Sequence, residues 1–255
     1  MNALKIDALK PSVSERLAPF LEEIIKGHGH GIHSIHVVGS SVTPDFNEKS
    51  SDINSVVILK EMDLSFAKFL APLGAKYGKR KIAAPLMLTP EYITQSLDVF
   101  PVEFLDLKHI HVTVHGQDIL SGITVERSYL RLQCEQEMKR RLIALRQDYI
   151  SSLGSEDSIT KLLSRSITGI MPVLRAIIFL MGQEPPVKRS EVINTLQALS
   201  GTEKGIFEKV LMLKSGQIKP KKDEAHALFE EYYKAAGALG KIVDDISTNP
   251  ASQTQ

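Results

Sequence analysis

The chain has 255 residues, 43% of them hydrophobic and 24% charged, with a formal net charge of +1. That length and balance suit an ordinary soluble globular protein with a sizeable core and more than one compact part, and give no electrostatic basis for a large nucleic-acid surface. The single cysteine, Cys134, excludes an intramolecular disulfide and fits a reducing cytoplasm, where a structural thiol is the expected role.

No signal peptide is expected from the mixed polar and apolar residues at the N-terminus. Ser12 or Ser14 is placed to cap a helix running to about Lys26, with Leu17, Phe20, Leu21, Ile24 and Ile25 on one face. A glycine-histidine turn, Gly27 to Gly31, ends it. The stretch IHVVGSSVTPDFNEKSSDINSVVIL, Ile35 to Leu59, then reads as a strand, a small-residue turn at Gly39-Ser40-Ser41, a polar excursion, and a second strand. Gly39 has no Cβ and Ser40 and Ser41 carry hydroxyls, so this turn suits close approach to a phosphate. Asp52 and Asn54 fall on one side of the second strand, because side chains alternate with period two.

This combination resembles the nucleotidyltransferase superfamily that includes the aminoglycoside and minimal nucleotidyltransferases. There a Gly-Ser turn follows the first strand, Asp-x-Asp lies on the next after roughly ten residues, and a third carboxylate comes from a later strand. Gly39, Ser40 and Asp52 match; Asn54 stands where the second aspartate is expected. The resemblance implies an α/β (α+β) fold with a mixed sheet and flanking helices, and Mg²⁺ held by Asp52, Asn54 and Glu103. It also implies a nucleoside triphosphate substrate, with AMP from ATP passed to a hydroxyl of a small-molecule or protein acceptor. Glu103 is preferred as third carboxylate because Pro101-Val102-Glu103-Phe104 reproduces the Pro-apolar-Glu-apolar strand of the aminoglycoside enzymes; Asp106 replaces it if the strand is bulged. An amide at position 54 attracts a hard cation less than a carboxylate, by on the order of 1–3 kcal/mol, or roughly ten- to a hundredfold in affinity. That loss motivates the alternative of a catalytically impaired member that binds a nucleotide or a protein partner.

Further along, Asp63 to Tyr77 has helical spacing, Ile82 to Leu88 reads as a third strand, and a short helix spans Pro90 to Leu97. Strands are expected around Glu103 and from Ile110 to Val114. His28, His30, His33 and His36 form one histidine cluster and His109, His111 and His115 another. Two histidines two apart on a strand can share a metal, but no cysteine or acidic residue completes a zinc spacing within either cluster, so both are read as loop and sheet-edge groups.

From about Val125 long amphipathic helices take over: a charged one through Ile150, then Ser158 to Met181, Ser190 to Leu199, Glu203 to Lys214 and Glu224 to Ile246. The apolar run Ile167 to Met181 is interrupted by Pro172 and Arg175 and is too short to span a bilayer, so no membrane role is expected. Lys161 and Arg165, four apart on one helix face, are candidate nucleotide contacts, whereas Arg131 with Glu135 reads as an ordinary i,i+4 pair. The expected organisation is an α/β domain over residues 1–122, a helical bundle over 123–246 and a flexible tail over 247–255.

Overall fold

A computed structural model describes residues 4–201, 205–220 and 223–246. The chain divides into two compact units, one of residues 1–98 and 103–124, the other of residues 99–102 and 125–255.

The first unit is built on a four-stranded sheet ordered β3-β2-β1-β4. β1 (Ile32–Val38) pairs antiparallel with β2 (Asn54–Leu59) on one side and with β4 (His111–Gly116) on the other. β3 (Leu86–Leu88) runs parallel to β2, the direction that requires the crossover through α2 (Leu64–Tyr77). α1 (Pro11–His28) starts on a proline at its first turn rather than on a serine cap, because proline gives up no hydrogen bond there. Ser14 instead donates its hydroxyl back to the Pro11 carbonyl at 3.0 Å. Val13, Leu17, Phe20, Leu21 and Ile24 recur at three- and four-residue steps and are buried, each contributing roughly 1.5–3 kcal/mol gross. They pack in one core with Ile35, Val37, Val57, Val114 and, from α2, Phe66 and Leu73.

The segment expected to be a strand around Glu103 is a helix. α4 spans Pro101–His109 and follows the short α3 (Pro90–Gln95). Pro101 opens it, Glu103 lies in its first turn, and Lys108 and His109 close it, a charge order that favours a helix dipole. The apolar alternation through Val102, Phe104 and Leu105 is short enough to satisfy either period.

The second unit is helical: α5 (Arg127–Ser151), α6 (Glu156–Gly169), α7 (Met171–Leu180), α8 (Arg189–Ser200), α9 (Ile206–Ser215) and α10 (Glu224–Asp245). The helix expected over residues 158–181 is two, bent by 42° where Pro172 sits in the first turn of α7. No single helix among the described residues is long and apolar enough to cross a membrane. Cys134 is buried on α5. The expected start of the Glu203 helix and the tail over 247–255 lie outside the described residues.

Candidate functional site

The end of β1 meets the start of β2 at the small-residue turn. Gly39 has φ +70°, in the left-handed region where a side chain costs energy, and a Cβ placed on it would lie 3.7 Å from Nδ2 of Asn54. The turn and the Asp-x-Asn segment are therefore adjacent. Ile53 is fully buried while Asp52 and Asn54 on either side of it are exposed, so the two polar residues share one side as alternation requires. The position is fixed by backbone pairing: Ile53 donates to the Lys81 carbonyl at 2.8 Å and accepts from Ala83 at 3.0 Å. The excursion before it is self-organised, with Oδ1 of Asn47 accepting from Lys49 and Ser50 at 2.9 and 3.2 Å, an Asx turn.

Ser41 departs from its expected role. It is fully buried and its hydroxyl donates to the Val38 carbonyl at 3.0 Å, so it stabilises the turn from inside and offers no hydroxyl to a ligand. Ser40 is half-buried beside it.

Glu103 does not come from a strand. It is exposed on α4, and the argument that separated it from Asp106 by strand alternation fails, since residues three apart on a helix share a face. The later strand that pairs with β1 begins at His111, and His111 lies opposite Val38, as Asn54 does from the other side. Side chains directly opposite in an antiparallel pair point the same way. Asn54 and His111 thus flank Val38 on the sheet face away from the α1–α2 core. The first residue of this later strand, beside the turn in register, is an imidazole and not a carboxylate.

Behind these residues the same face is buried, and on β1 and β4 it carries polar groups, beside Val56 and Ile58 of β2. Ser34 and His36 are fully buried; Nε2 of His36 contacts the Ser34 hydroxyl and Nδ1 the Thr113 hydroxyl, both at 2.9 Å. Burial, then the neighbouring His111, push the His36 pKa down to about 4, so the ring is neutral. Burial alone would raise Asp118, in the loop after β4, but hydrogen bonds from the Ser121 hydroxyl and amide, with the His111 ring beside it, outweigh it and hold its carboxyl at about 2.

The later histidine cluster is broken up by the fold. His109 ends α4 rather than sharing a strand with His111. A bulge in β4 leaves Val114 unpaired and puts His115 opposite Ile35 on the core side, away from His111. Across the two clusters, however, the β1–β4 pairing sets the His36 and His111 rings edge to face with centroids 5.5 Å apart.

The donor set does not fit a pair of Mg²⁺ ions. Of the three cleft positions, only Asp52 carries a carboxylate; Asn54 offers an amide and His111 an imidazole, whereas Mg²⁺ calls for oxygen ligands and little distortion. Lys161 and Arg165 belong to the second unit, where they line a shallow hollow on α6 with Ser158, Thr160 and Ser164. Lys161 is already paired with Asp157 at 2.5 Å.

No family model matches this sequence, and neither does any curated protein. Among solved structures the chain is similar to the spectinomycin adenyltransferase AAD(9) from Enterococcus faecialis, determined with ATP and spectinomycin. The likeness has a TM-score of 0.53 at 11% identity and covers 88% of this chain and 99% of that one. The fold is nucleotidyltransferase-like. At that identity the likeness speaks for the fold, and function has to be argued from the side chains.

Proposed function

We propose that this protein uses the nucleotidyltransferase cleft to bind a nucleoside triphosphate, ATP first, and that two-metal transfer of AMP is impaired in it. The observation that carries this reading is the register around Val38. The Gly39-Ser40 turn is retained and lies against Asn54, while the positions flanking Val38 hold an amide and an imidazole. Phosphate binding by a tight turn survives such changes, because it uses backbone groups and small side chains. In-line nucleotidyl transfer does not survive them equally, since it relies on metal-held oxygens to stabilise charge on the attacking and leaving groups.

The second reading is active transfer of AMP to a hydroxyl of a small molecule. The retained Asp52 favours it, and the structural neighbour is an adenyltransferase determined with ATP and spectinomycin.

Calorimetric titration with ATP, with and without Mg²⁺, combined with pyrophosphate release in the presence of spectinomycin and a panel of hydroxyl acceptors, separates the two. The expected result is ATP binding with no acceptor-dependent pyrophosphate release. The double variant Asn54→Asp/His111→Glu, which restores the carboxylates, is expected to strengthen Mg²⁺-dependent binding. Acceptor-dependent release by the unsubstituted protein establishes the second reading; absence of ATP binding to either protein ends both.

A further inference from the structure

His36 on β1, His111 on β4 and Asp118 in the following loop each offer one ligand atom, and these atoms lie within 4.8 Å of one another. Nε2 of His111 and Oδ1 of Asp118 are 3.1 Å apart. Strand pairing supplies the two rings. Asp118 is held by the loop itself: its Oδ1 accepts from the Leu120 and Ser121 amides at 3.1 and 3.2 Å, and its Oδ2 from the Ser121 hydroxyl at 2.7 Å.

Hydrogen-bond accounting shows what these groups lack. Nδ1 of His111 faces two backbone carbonyls, Leu107 at 2.8 Å and Lys108 at 3.1 Å. Carbonyl oxygens only accept, so Nδ1 carries the proton, and in the neutral ring Nε2 is then a bare lone pair. It is aimed at a carboxylate oxygen, which also only accepts. Two lone pairs at this distance repel unless a cation joins them, either a proton on Nε2 or a metal bound to both atoms. His36 favours the metal. It is a fully buried ring on the same side of the sheet, and neutral imidazole is the form that ligates. Its nitrogens contact two hydroxyls, Ser34 and Thr113. Either hydroxyl can swing aside about its Cα–Cβ bond and leave its nitrogen to a metal, while the other accepts the remaining ring N–H. Such an outer partner is what fixes the tautomer of a ligating histidine.

We propose that His36, His111 and Asp118 form a binding site for one transition-metal dication, with Zn²⁺ the first choice. Two imidazoles and one carboxylate are the ligand types that suit zinc and its first-row neighbours rather than Mg²⁺ or Ca²⁺. Three protein ligands leave a coordination position for water or a bound molecule. The site stands independently of nucleotide binding. Of its three residues only His111 borders the cleft, and the metal needs no phosphate to be held.

The test uses the full chain stripped of metal with a chelator, then titrated with Zn²⁺ by calorimetry and with Co²⁺ by visible absorption. One equivalent of each is expected, with Co²⁺ giving the d–d bands of a low-coordinate nitrogen and oxygen site. His111→Gln and Asp118→Asn are each expected to weaken Zn²⁺ binding by about a hundredfold, the upper end of what loss of a supporting partner costs and a floor for a direct ligand. His30→Gln, in the turn before β1, is expected to leave binding unchanged. Where a ligand variant does not fold, imidazole NMR of the unsubstituted chain decides: Zn²⁺ must perturb two buried-face rings in a one-to-one titration. Failure to bind one equivalent, unchanged affinity in folded His111→Gln, loss of binding in His30→Gln, or NMR shifts confined to His28 and His30 each overturn the site.

Discussion

The two faces of the one sheet are made from alternate residues of the same strands and are put to opposite uses. On one face Ile35, Val37, Val57 and Val114 close against α1 and α2 in an apolar core. On the other, Val56 and Ile58 of β2 are apolar, but Ser34, His36, Asn54, His111 and Thr113 bring hydroxyls, an amide and imidazoles to the same strands. A core needs volume and apolarity, which many sequences supply. A buried polar face needs every donor and acceptor matched, so its residues are individually specified and its chemistry depends on register.

If that division is correct, truncation on the apolar face should cost the most. Ile35→Ala removes a fully buried side chain and is expected to destabilise by about 2–5 kcal/mol, read from urea unfolding at pH 7. Asn54→Asp, exposed on the other face, is expected to change stability by less than about 0.5 kcal/mol. Similar costs for the two substitutions would erase the distinction.

How far each face could be read in advance follows from the same contrast. The strand-turn-strand from Ile35 to Leu59 and the apolar stripe of α1 were legible, because burial imposes a period. So were Asp52 and Asn54 on one side, since Ile53 between them is core. α4 was misread, because nine residues with Val102, Phe104 and Leu105 apolar fit both periods, and Pro101 was the signal that should have decided for a helix. With that strand lost, the residue of the later strand that pairs beside the turn is His111. The grouping of His36, His111 and Asp118 was hidden because its members lie in different clusters. Only the pairing of β1 with β4, with a bulge at Val114, brings them together, and register across 75 residues leaves no local trace. A search across the histidine clusters for an acid such as Asp118, rather than within each, would have found it.

Acid should act on the polar face before the apolar one. His36 titrates near its ordinary value of about 6.5 when unfolded and at about 4 when folded. Between those values the unfolded chain binds the extra proton, so stability is full above about pH 6.5 and falls as pH drops toward 4, by up to about 3 kcal/mol. Asp118, held at about 2, belongs to a lower window: its contribution is present above the ordinary carboxylate range near pH 4 and is lost as pH falls toward 2. Unfolding midpoints of the metal-free protein that stay flat between pH 7 and 5 would show that His36 is not a buried neutral ring.

A smaller effect is expected at the cleft. Asn54→Asp is expected to strengthen the Mg²⁺-dependent part of ATP binding by roughly tenfold, at the low end of the difference between charged and neutral partners, measured by calorimetry. Asp52→Ala is expected to abolish that part, and Mg²⁺ dependence that persists without Asp52 would move the cation elsewhere.

The finest distinction lies within the polar face itself. His36 has two hydroxyl partners at the same distance, Ser34 on Nε2 and Thr113 on Nδ1, and a neutral ring donates from one nitrogen and accepts at the other. Removing the hydroxyl that faces the N–H leaves a buried donor unsatisfied, whereas removing the one that faces the lone pair leaves an acceptor that can await a cation. Thr113→Val and Ser34→Ala should therefore differ, by about 1 kcal/mol in urea unfolding of the metal-free protein, and the costlier variant marks the protonated nitrogen. The nitrogen facing the cheaper substitution is the one available to a metal, so that same variant should still bind Zn²⁺. If the two cost the same and both still bind, the hydroxyls do not set the tautomer, and His36 is held by packing instead.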